Sequence, residues 1–184
     1  LVVLTGAGIS AESGISTFRG NGGLWDNYRI EDVATPEAFE QNPETVLAFY
    51  NQRRRMLPDV EPNAGHRALV ELEKAYDVHI VTQNIDDLHE RAGSSQVYHL
   101  HGELRKARSS KDPDLIYDIG YRDIAPGEQC DKGSQLRPHV VWFGEPVPMA
   151  ERALHLFSEA RLALVVGTSL LVMPASNLLD FAPS

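Results

Sequence analysis

The chain has 184 residues, enough for one domain or for one domain with a small inserted lobe. Its 42% hydrophobic content suits a packed core rather than a disordered chain, and no apolar run approaches the roughly 20 residues that span a bilayer. A formal charge of -9 repels phosphate backbones and disfavours nucleic acid as a partner, while the single cysteine, Cys130, excludes an intrachain disulfide framework and fits a reducing, cytoplasmic compartment.

The opening Leu1-Val2-Val3-Leu4 reads as a buried strand entered midway, without the basic leader of a signal peptide, so the true N-terminus is expected upstream. Gly6-Ala7-Gly8 follows as a turn, then a helix from Ser10. Arg19-Gly20-Asn21-Gly22-Gly23 must be loop, because clustered glycines defeat helix and strand alike. Thr35 before Pro36 marks an N-cap with proline at the first helical position. The spacing of Val46, Leu47, Phe49, Tyr50 and Arg53 predicts a helix over 43–57, and a further helix covers 64–76. Strands are expected at 78–82, 97–100, 140–143 and 162–166, with a helix over 149–160. The stretch 103–136 is polar and irregular and reads as an inserted lobe.

Strands alternating with helices predict an α/β fold: a Rossmann-like parallel sheet with helices on both faces plus a small inserted lobe. The expected division is 1–35, 66–102 and 138–184 for the sheet domain, 36–65 for an inserted helical segment and 103–137 for the lobe. Ligands of such sheets bind at the carboxyl ends of the strands. Three predicted strands end there in small polar turns, Gly6-Ala7-Gly8, Gln83-Asn84-Ile85-Asp86 and Gly167-Thr168-Ser169, which should meet at one edge.

Gly6-Ala7-Gly8-Ile9-Ser10-Ala11 fits the dinucleotide pattern G-x-G-x-x-G/A, in which the glycines permit a tight turn and a close backbone approach to pyrophosphate. A tight strand-to-helix turn with no ligand would show the same pattern. A hydride-transfer enzyme of that class needs a second strand ending in an acid about 20 residues on. Here the interval holds Thr17-Phe18-Arg19-Gly20-Asn21-Gly22-Gly23-Leu24-Trp25, which suits a cover over a cofactor better than a strand.

Five motifs then occur in order. Gly6-Ala7-Gly8-Ile9-Ser10 with Gly14-Ile15-Ser16-Thr17-Phe18-Arg19, Thr82 to His89, His99-Leu100-His101-Gly102, Val141-Trp142-Phe143-Gly144-Glu145 and Gly167-Thr168-Ser169 together resemble the signatures of the sirtuin family. The resemblance implies a bacterial-type NAD-dependent protein deacylase. In that chemistry an acyl-lysine oxygen attacks C1′ of the nicotinamide ribose, a base activates a ribose hydroxyl, and the products are lysine, nicotinamide and O-acyl-ADP-ribose. It implies His101 as the base, which suits imidazole with its pKa near working pH. His99 is expected to point away and receives no catalytic role. Asn84 and Asp86 are implied as catalytic pocket residues, with Gln83 and Ile85 beside the ribose. Turn chemistry alone would also place Asn and Asp there. Gly6, Ala7, Gly8, Ser10, Phe18, Arg19, Trp25, Gly167, Thr168 and Ser169 complete the implied NAD site.

Tyr50 and Arg53 stand i and i+3 on the predicted helix, so they share a face. A phenol and a guanidinium suit a carboxylate. The Tyr-x-x-Arg pattern resembles the sirtuin subgroup that removes succinyl and malonyl groups; the alternative is that Arg53, Arg54 and Arg55 form a solvated basic face. The acyl-lysine peptide is expected as an added strand between 141–145 and the segment after Ser169, with Val141, Phe143, Gly144 and Glu145 on the substrate and either Trp142 or Phe143 buried. Two departures stand out. Most sirtuins hold a structural zinc with two C-x-x-C pairs, whereas this lobe has only Cys130, with Ser109 and Ser110 near the first pair's place, so no metal is expected. Leu115, Ile116, Tyr117 and Tyr121 are candidates to hold the lobe instead. Family members also continue past Ser184 with a strand and loop that grip adenosine. Mono-ADP-ribosyl transfer and a non-catalytic NAD- or ADP-ribose-sensing module are the alternative functions.

Overall fold

The computed structural model describes residues 1–18 and 23–182; the flap residues Arg19 and Asn21 lie outside them, as does the side chain of Trp25. In chain order the elements are β1 (Val2–Thr5), α1 (Gly8–Ala11), α2 (Leu24–Asn27), α3 (Ile30–Val33), α4 (Pro36–Gln41), α5 (Pro43–Met56), α6 (Ala64–Leu72), β2 (His79–Thr82), α7 (Leu88–Ala92), β3 (Val97–His99), β4 (Gly102–Ser109), β5 (Ile116–Asp118), β6 (Leu136–Val140), α8 (Ala150–Ser158) and β7 (Ala163–Val166). A 3-10 turn over Ala175–Phe181 closes the described chain.

Four strands form a parallel sheet in the order β3-β2-β1-β7. Val3 sits between Ile80 of β2 and Leu164 of β7. Val2, Val3 and Leu4 are buried without alternation, as a strand covered on both faces must be. Val2, Leu4 and Val81 face Leu156, Phe157 and Leu178, contributed by α8 and the terminal 3-10 turn. Val3 and Ile80 face Ile9 and Leu69, the latter on α6. Burying a side chain such as Phe157 or Leu4 completely stabilises the fold by about 2 kcal/mol.

Local chemistry sets the helix starts. Thr35 caps α4 by accepting the Ala38 N–H at 3.1 Å, with Pro36 at the first position. Asn42 accepts the Thr45 N–H at 3.2 Å at the start of α5. Asn63 accepts the Gly65 N–H at 2.8 Å, while His66 Nδ1 accepts the Asn63 N–H, a capping box in which histidine replaces the usual glutamate. The expected helix from Ser10 is only one turn and begins at Gly8.

The lobe is more regular than its polar sequence predicts. β4, β5 and β6 form an antiparallel sheet in the order β5-β4-β6. Leu47 of α5 packs into it with Ala107, Ile119, Ile124, Cys130 and Leu136. Leu115 and Tyr117 pack against that cluster, but Ile116 is 46% exposed and Tyr121 belongs to a neighbouring cluster. In the lobe, Ser109 Oγ and Ser134 Oγ lie 3.1 Å apart, and Cys130 Sγ lies 3.3 Å from Ser134 Oγ. Ser109 Oγ also accepts the N–H groups of Lys111 and Asp112. Two hydroxyls and one thiol, bonded to one another, are a poor donor set for a tetrahedral thiolate metal site.

The strand expected over 140–143 is corrected: β6 stops at Val140, and 141–145 forms a turn. The cause is Glu145, whose Oε2 accepts the Trp142 N–H at 2.8 Å and bends the chain back on itself. Trp142 is 3% exposed and Phe143 40%, so of the two the tryptophan is the core residue.

Candidate active site

The three turns do meet. The Gly6 N–H donates to Val166 O at 3.1 Å and the Gly8 N–H to Gly167 O at 2.8 Å, which stitches the first turn to the last. Gln83 bridges both, through its N–H to Thr5 O at 2.9 Å and its Nε2 to Thr168 Oγ1 at 2.7 Å. A cavity of about 350 Å³ opens above them. Its wall includes Gly6, Ala7, Gly8, Phe18, Gln83, Asn84, Ile85, His101, Gly167, Thr168 and Ser169 among the expected NAD residues, and Tyr50, Val141, Phe143, Gly144 and Glu145 among the expected substrate residues.

The glycines serve packing as much as any ligand. A Cβ on Gly8 would lie 2.8 Å from Gly167 Cα, and one on Gly167 would lie 2.2 Å from the Ile9 backbone nitrogen. Gly167 also has φ +65, a left-handed conformation that L side chains resist.

His101 follows β3 in a turn, and its Nδ1–H donates to Gln83 O at 3.0 Å. That bond leaves Nε2 as the basic nitrogen. Burial pushes the His101 pKa below the ordinary value, so the ring is neutral at neutral pH. His99 points away, as expected, with its ring on Asn84 O and Glu90. The chain leaves β3 at His99 and turns before His101.

Asn84 and Asp86 are held by a buried polar network. Asn84 Nδ2 donates to Ser10 Oγ at 3.1 Å, and Ser10 Oγ–H donates to Asp86 Oδ2 at 3.0 Å. Asp86 Oδ1 accepts the Leu88 N–H. Burial raises the Asp86 pKa in spite of these bonds. Ser10 therefore sits behind the first turn, tied to Asn84 and Asp86, and lines neither cavity. Below it, His66 lies 3.4 Å from Ser10 Oγ, and His89 Nε2 lies 3.0 Å from Thr5 Oγ1. Burial pushes these histidines down to about 4 and about 3, so both are neutral. Sequence reading gave them no role, although the N-cap pattern ahead of His66 was a usable signal.

A second cavity of about 190 Å³ adjoins the first, sharing Ala7, Phe18, Asn84 and Ile85. Asp86 and Arg53 line it, whereas Tyr50 lines the larger one. Tyr50 and Arg53, expected in one pocket, thus line two adjoining cavities. Tyr50 OH accepts Trp142 Nε1–H at 3.0 Å, and burial holds its pKa well above the ordinary phenol value. Arg53 Nη1 donates to Phe49 O at 2.8 Å, and its guanidinium lies 3.3 Å over the Phe49 ring. Among the described residues no carboxylate pairs with Arg53, and its buried Nε has no partner. Burial lowers its pKa to about 10, which leaves it cationic at neutral pH.

Glu145 lines the larger cavity, but its oxygens are engaged within the protein. Its carboxylate accepts from Arg108 Nη2, from both Arg137 terminal nitrogens and from the Trp142 N–H, at 2.7–3.0 Å. Burial alone would raise its pKa, but the Arg137 hydrogen bond carries it below the ordinary value. Its oxygens are committed to holding the turn, and Arg137 stacks 3.3 Å over Trp142.

A Gly-x-Gly turn at a parallel sheet edge, a neutral histidine beside it and a cavity bridging the two are the features of a dinucleotide-binding α/β protein. More narrowly, the chain belongs to the Sir2 family, whose model matches residues 6–174. It is 57% identical over 182 residues to an NAD-dependent protein deacylase of Aggregatibacter actinomycetemcomitans, covering 99% of this chain and 87% of that one. It is 56% identical over 182 residues to one from Helicobacter pylori, covering 99% and 79%. Among solved structures, a Sir2 homolog–NAD complex matches with TM-score 0.89 and 46% identity over 98% of this chain and 72% of that chain. A Sir2 complex with a deacetylated p53 peptide and 3′-O-acetyl ADP-ribose matches with TM-score 0.86 and 34% identity over 98% and 76%. Among the described residues, no helix is long and apolar enough to cross a membrane.

Proposed function

We propose that this chain removes acyl groups from protein lysines with NAD, releasing nicotinamide and O-acyl-ADP-ribose, and that it accepts short acidic acyl groups such as succinyl and malonyl as well as acetyl. The observation carrying the reaction is a neutral His101, tethered through Nδ1 to Gln83 O, on the wall of the cavity that the Gly6–Gly8 and Gly167–Ser169 turns line. NAD supplies an electrophilic ribose carbon when bound. The first and last turns offer backbone to its phosphates, Gln83 and Thr168 its ribose, and Asn84, Ile85 and Asp86 the nicotinamide. His101 Nε2 takes the ribose hydroxyl proton. Trp142 and Phe143 divide the roles of core and tunnel wall, and the acyl-lysine peptide lies along 141–145 and the segment after Ser169. Incubation with NAD and matched acetyl- and succinyl-lysine peptides tests this, with nicotinamide and acyl-ADP-ribose measured; no nicotinamide with any acyl peptide would sink it.

Acyl preference rests on Arg53, a half-buried cation with no carboxylate partner among the described residues and a buried, unbonded Nε in the second cavity. Such a group calls for an anion. Arg53→Met is expected to lower kcat/KM for succinyl peptide about tenfold to hundredfold, the worth of a charge-assisted hydrogen bond. Acetyl peptide turnover should change far less; equal losses would refute the assignment.

The lobe is proposed to fold without zinc. Prolonged chelation should leave the melting temperature and turnover unchanged, and metal analysis should find well under one zinc per chain. One bound zinc per chain would overturn this.

A further inference from the structure

The carbonyls of the Gln83–Asp86 segment are secured one after another. Gln83 O accepts from His101 Nδ1, Asn84 O from His99 Nδ1 at 2.7 Å, and Ile85 O from the Leu104 N–H at 2.8 Å. Two histidines thus grip neighbouring peptide groups, but only His101 lines the cavity. The other nitrogen of His99 lies 2.8 Å from Glu90 Oε1. A carbonyl and a carboxylate can only accept. Both ring nitrogens therefore carry protons, and His99 is an imidazolium, with its side chain only 8% exposed.

The charged groups around the ring come from three elements. Glu90 on α7 bonds it directly, and Glu103 on β4 stands near and pairs with Lys106. On the buried side stand His89, whose protonation the His99 charge disfavours, and Asp86, whose ionised form it favours. The ligand atoms of Glu90, His99 and Glu103 lie within 4.8 Å of one another, a spacing that suits a cation. Nε2 is already engaged by Glu90 and Glu103 by Lys106, so ion pairs account for the cluster without one.

We propose that His99 is a positioning residue for the NAD reaction: braced by Glu90, its imidazolium holds the Asn84 carbonyl and so sets the angle at which the Asn84 and Asp86 side chains meet the nicotinamide end of the cofactor. This rests on the reading that the Gln83–Asp86 segment lines the NAD site. The observation beyond that reading is the order of donors, since no other ring bonds the Asn84 carbonyl.

Burial alone would push the His99 pKa down, but the Glu90 carboxylate raises it above the ordinary histidine value, and His99 in turn carries Glu90 below the ordinary carboxylate value. The sign follows. With the folded pKa raised, the bracing is complete below the ordinary histidine pKa and is lost as pH rises through the raised one. His101 acts in the opposite sense, because it must be neutral to accept a proton. The acid limb of O-acyl-ADP-ribose formation then belongs to His101, and the alkaline limb of kcat/KM for NAD to His99.

The test uses the full chain, NAD and an acetyl-lysine peptide, with pH profiles for the wild type, His99→Phe and Glu90→Gln. His99→Phe should raise KM for NAD and weaken nicotinamide inhibition by about tenfold or more, the loss of a charge-assisted hydrogen bond, with KM for the peptide unchanged. Glu90 is partly exposed, so Glu90→Gln should fold and should move the alkaline limb to lower pH while leaving the acid limb in place. His99→Lys, which restores a charged donor, should recover part of the NAD affinity. An alkaline limb that stays put in Glu90→Gln, or peptide and NAD constants that rise together in His99→Phe, overturns the proposal. A wild-type protein that releases no nicotinamide removes the NAD reading beneath it, and the proposal falls with it.

Discussion

Replacing His101 by alanine is expected to slow formation of O-acyl-ADP-ribose by about 10² to 10⁴, the usual worth of a positioned general base. The structure gives this prediction two parts. Nε2 loses its role as proton acceptor, and Gln83 O loses the donor that ties the second turn to the end of β3. The first loss acts only after nicotinamide has left. Exchange of labelled nicotinamide into NAD should therefore survive in His101→Ala far better than product formation does. If both fall by the same factor, His101 is chiefly structural and the base must be sought elsewhere. The pH profile gives a second check. Burial lowers the His101 pKa, so the wild-type acid limb should fall below the ordinary histidine pKa.

Gly167→Ala is the substitution with the largest expected effect on stability. The new methyl would sit 2.2 Å from the Ile9 nitrogen and 2.8 Å from the Gly8 carbonyl carbon, on a residue already at φ +65. Both contacts are backbone, so no side chain can swing aside. A cost of about 3 kcal/mol or more is expected, from strain and overpacking together. For a chain of this size that lowers the melting temperature by roughly 6–12 °C. Gly120 supplies the control: φ is +56 there, but nothing lies within 4 Å of an added Cβ. Gly120→Ala should cost only the backbone term, about 1–2 kcal/mol. Equal melting temperatures for the two variants would mean that the first and last turns are not as tightly joined as described.

Much of the site was legible in the sequence because it is made of strand ends. Val2 to Leu4, Ile80 to Thr82 and Leu164 to Val166 are apolar runs broken by small polar residues, and the parallel rule brings such breaks to one edge. His101 also follows a strand end, but its role as base was implied by the resemblance of His99-Leu100-His101-Gly102 to the family motif and not by its position. What stayed hidden depends on contacts between distant residues. The lobe sheet is made by β4 and β6, about 30 residues apart, whose polar faces give no clear alternation. The commitment of Glu145 to Arg108 and Arg137 could not be read either, since spacing says nothing about which of several arginines reaches an acid. The same holds for Tyr50 and Arg53. Helical spacing places them on one side of α5, but whether their tips enter one cavity or two is decided by Phe49 and Trp142, which draw them apart.

The sheet order sets the first strand directly beside the last, with β1 held between β2 and β7. During synthesis the amino-terminal half of the crevice therefore emerges long before its counterpart, and waits through more than a hundred residues for the strand that closes it. A nascent chain released before β7 would carry the His101 imidazole and the Gly-x-Gly turn yet lack the Gly167–Ser169 turn on the far side of the cavity. Ligand binding, which stabilises only the finished fold, would then act as a check on completeness of the polypeptide itself.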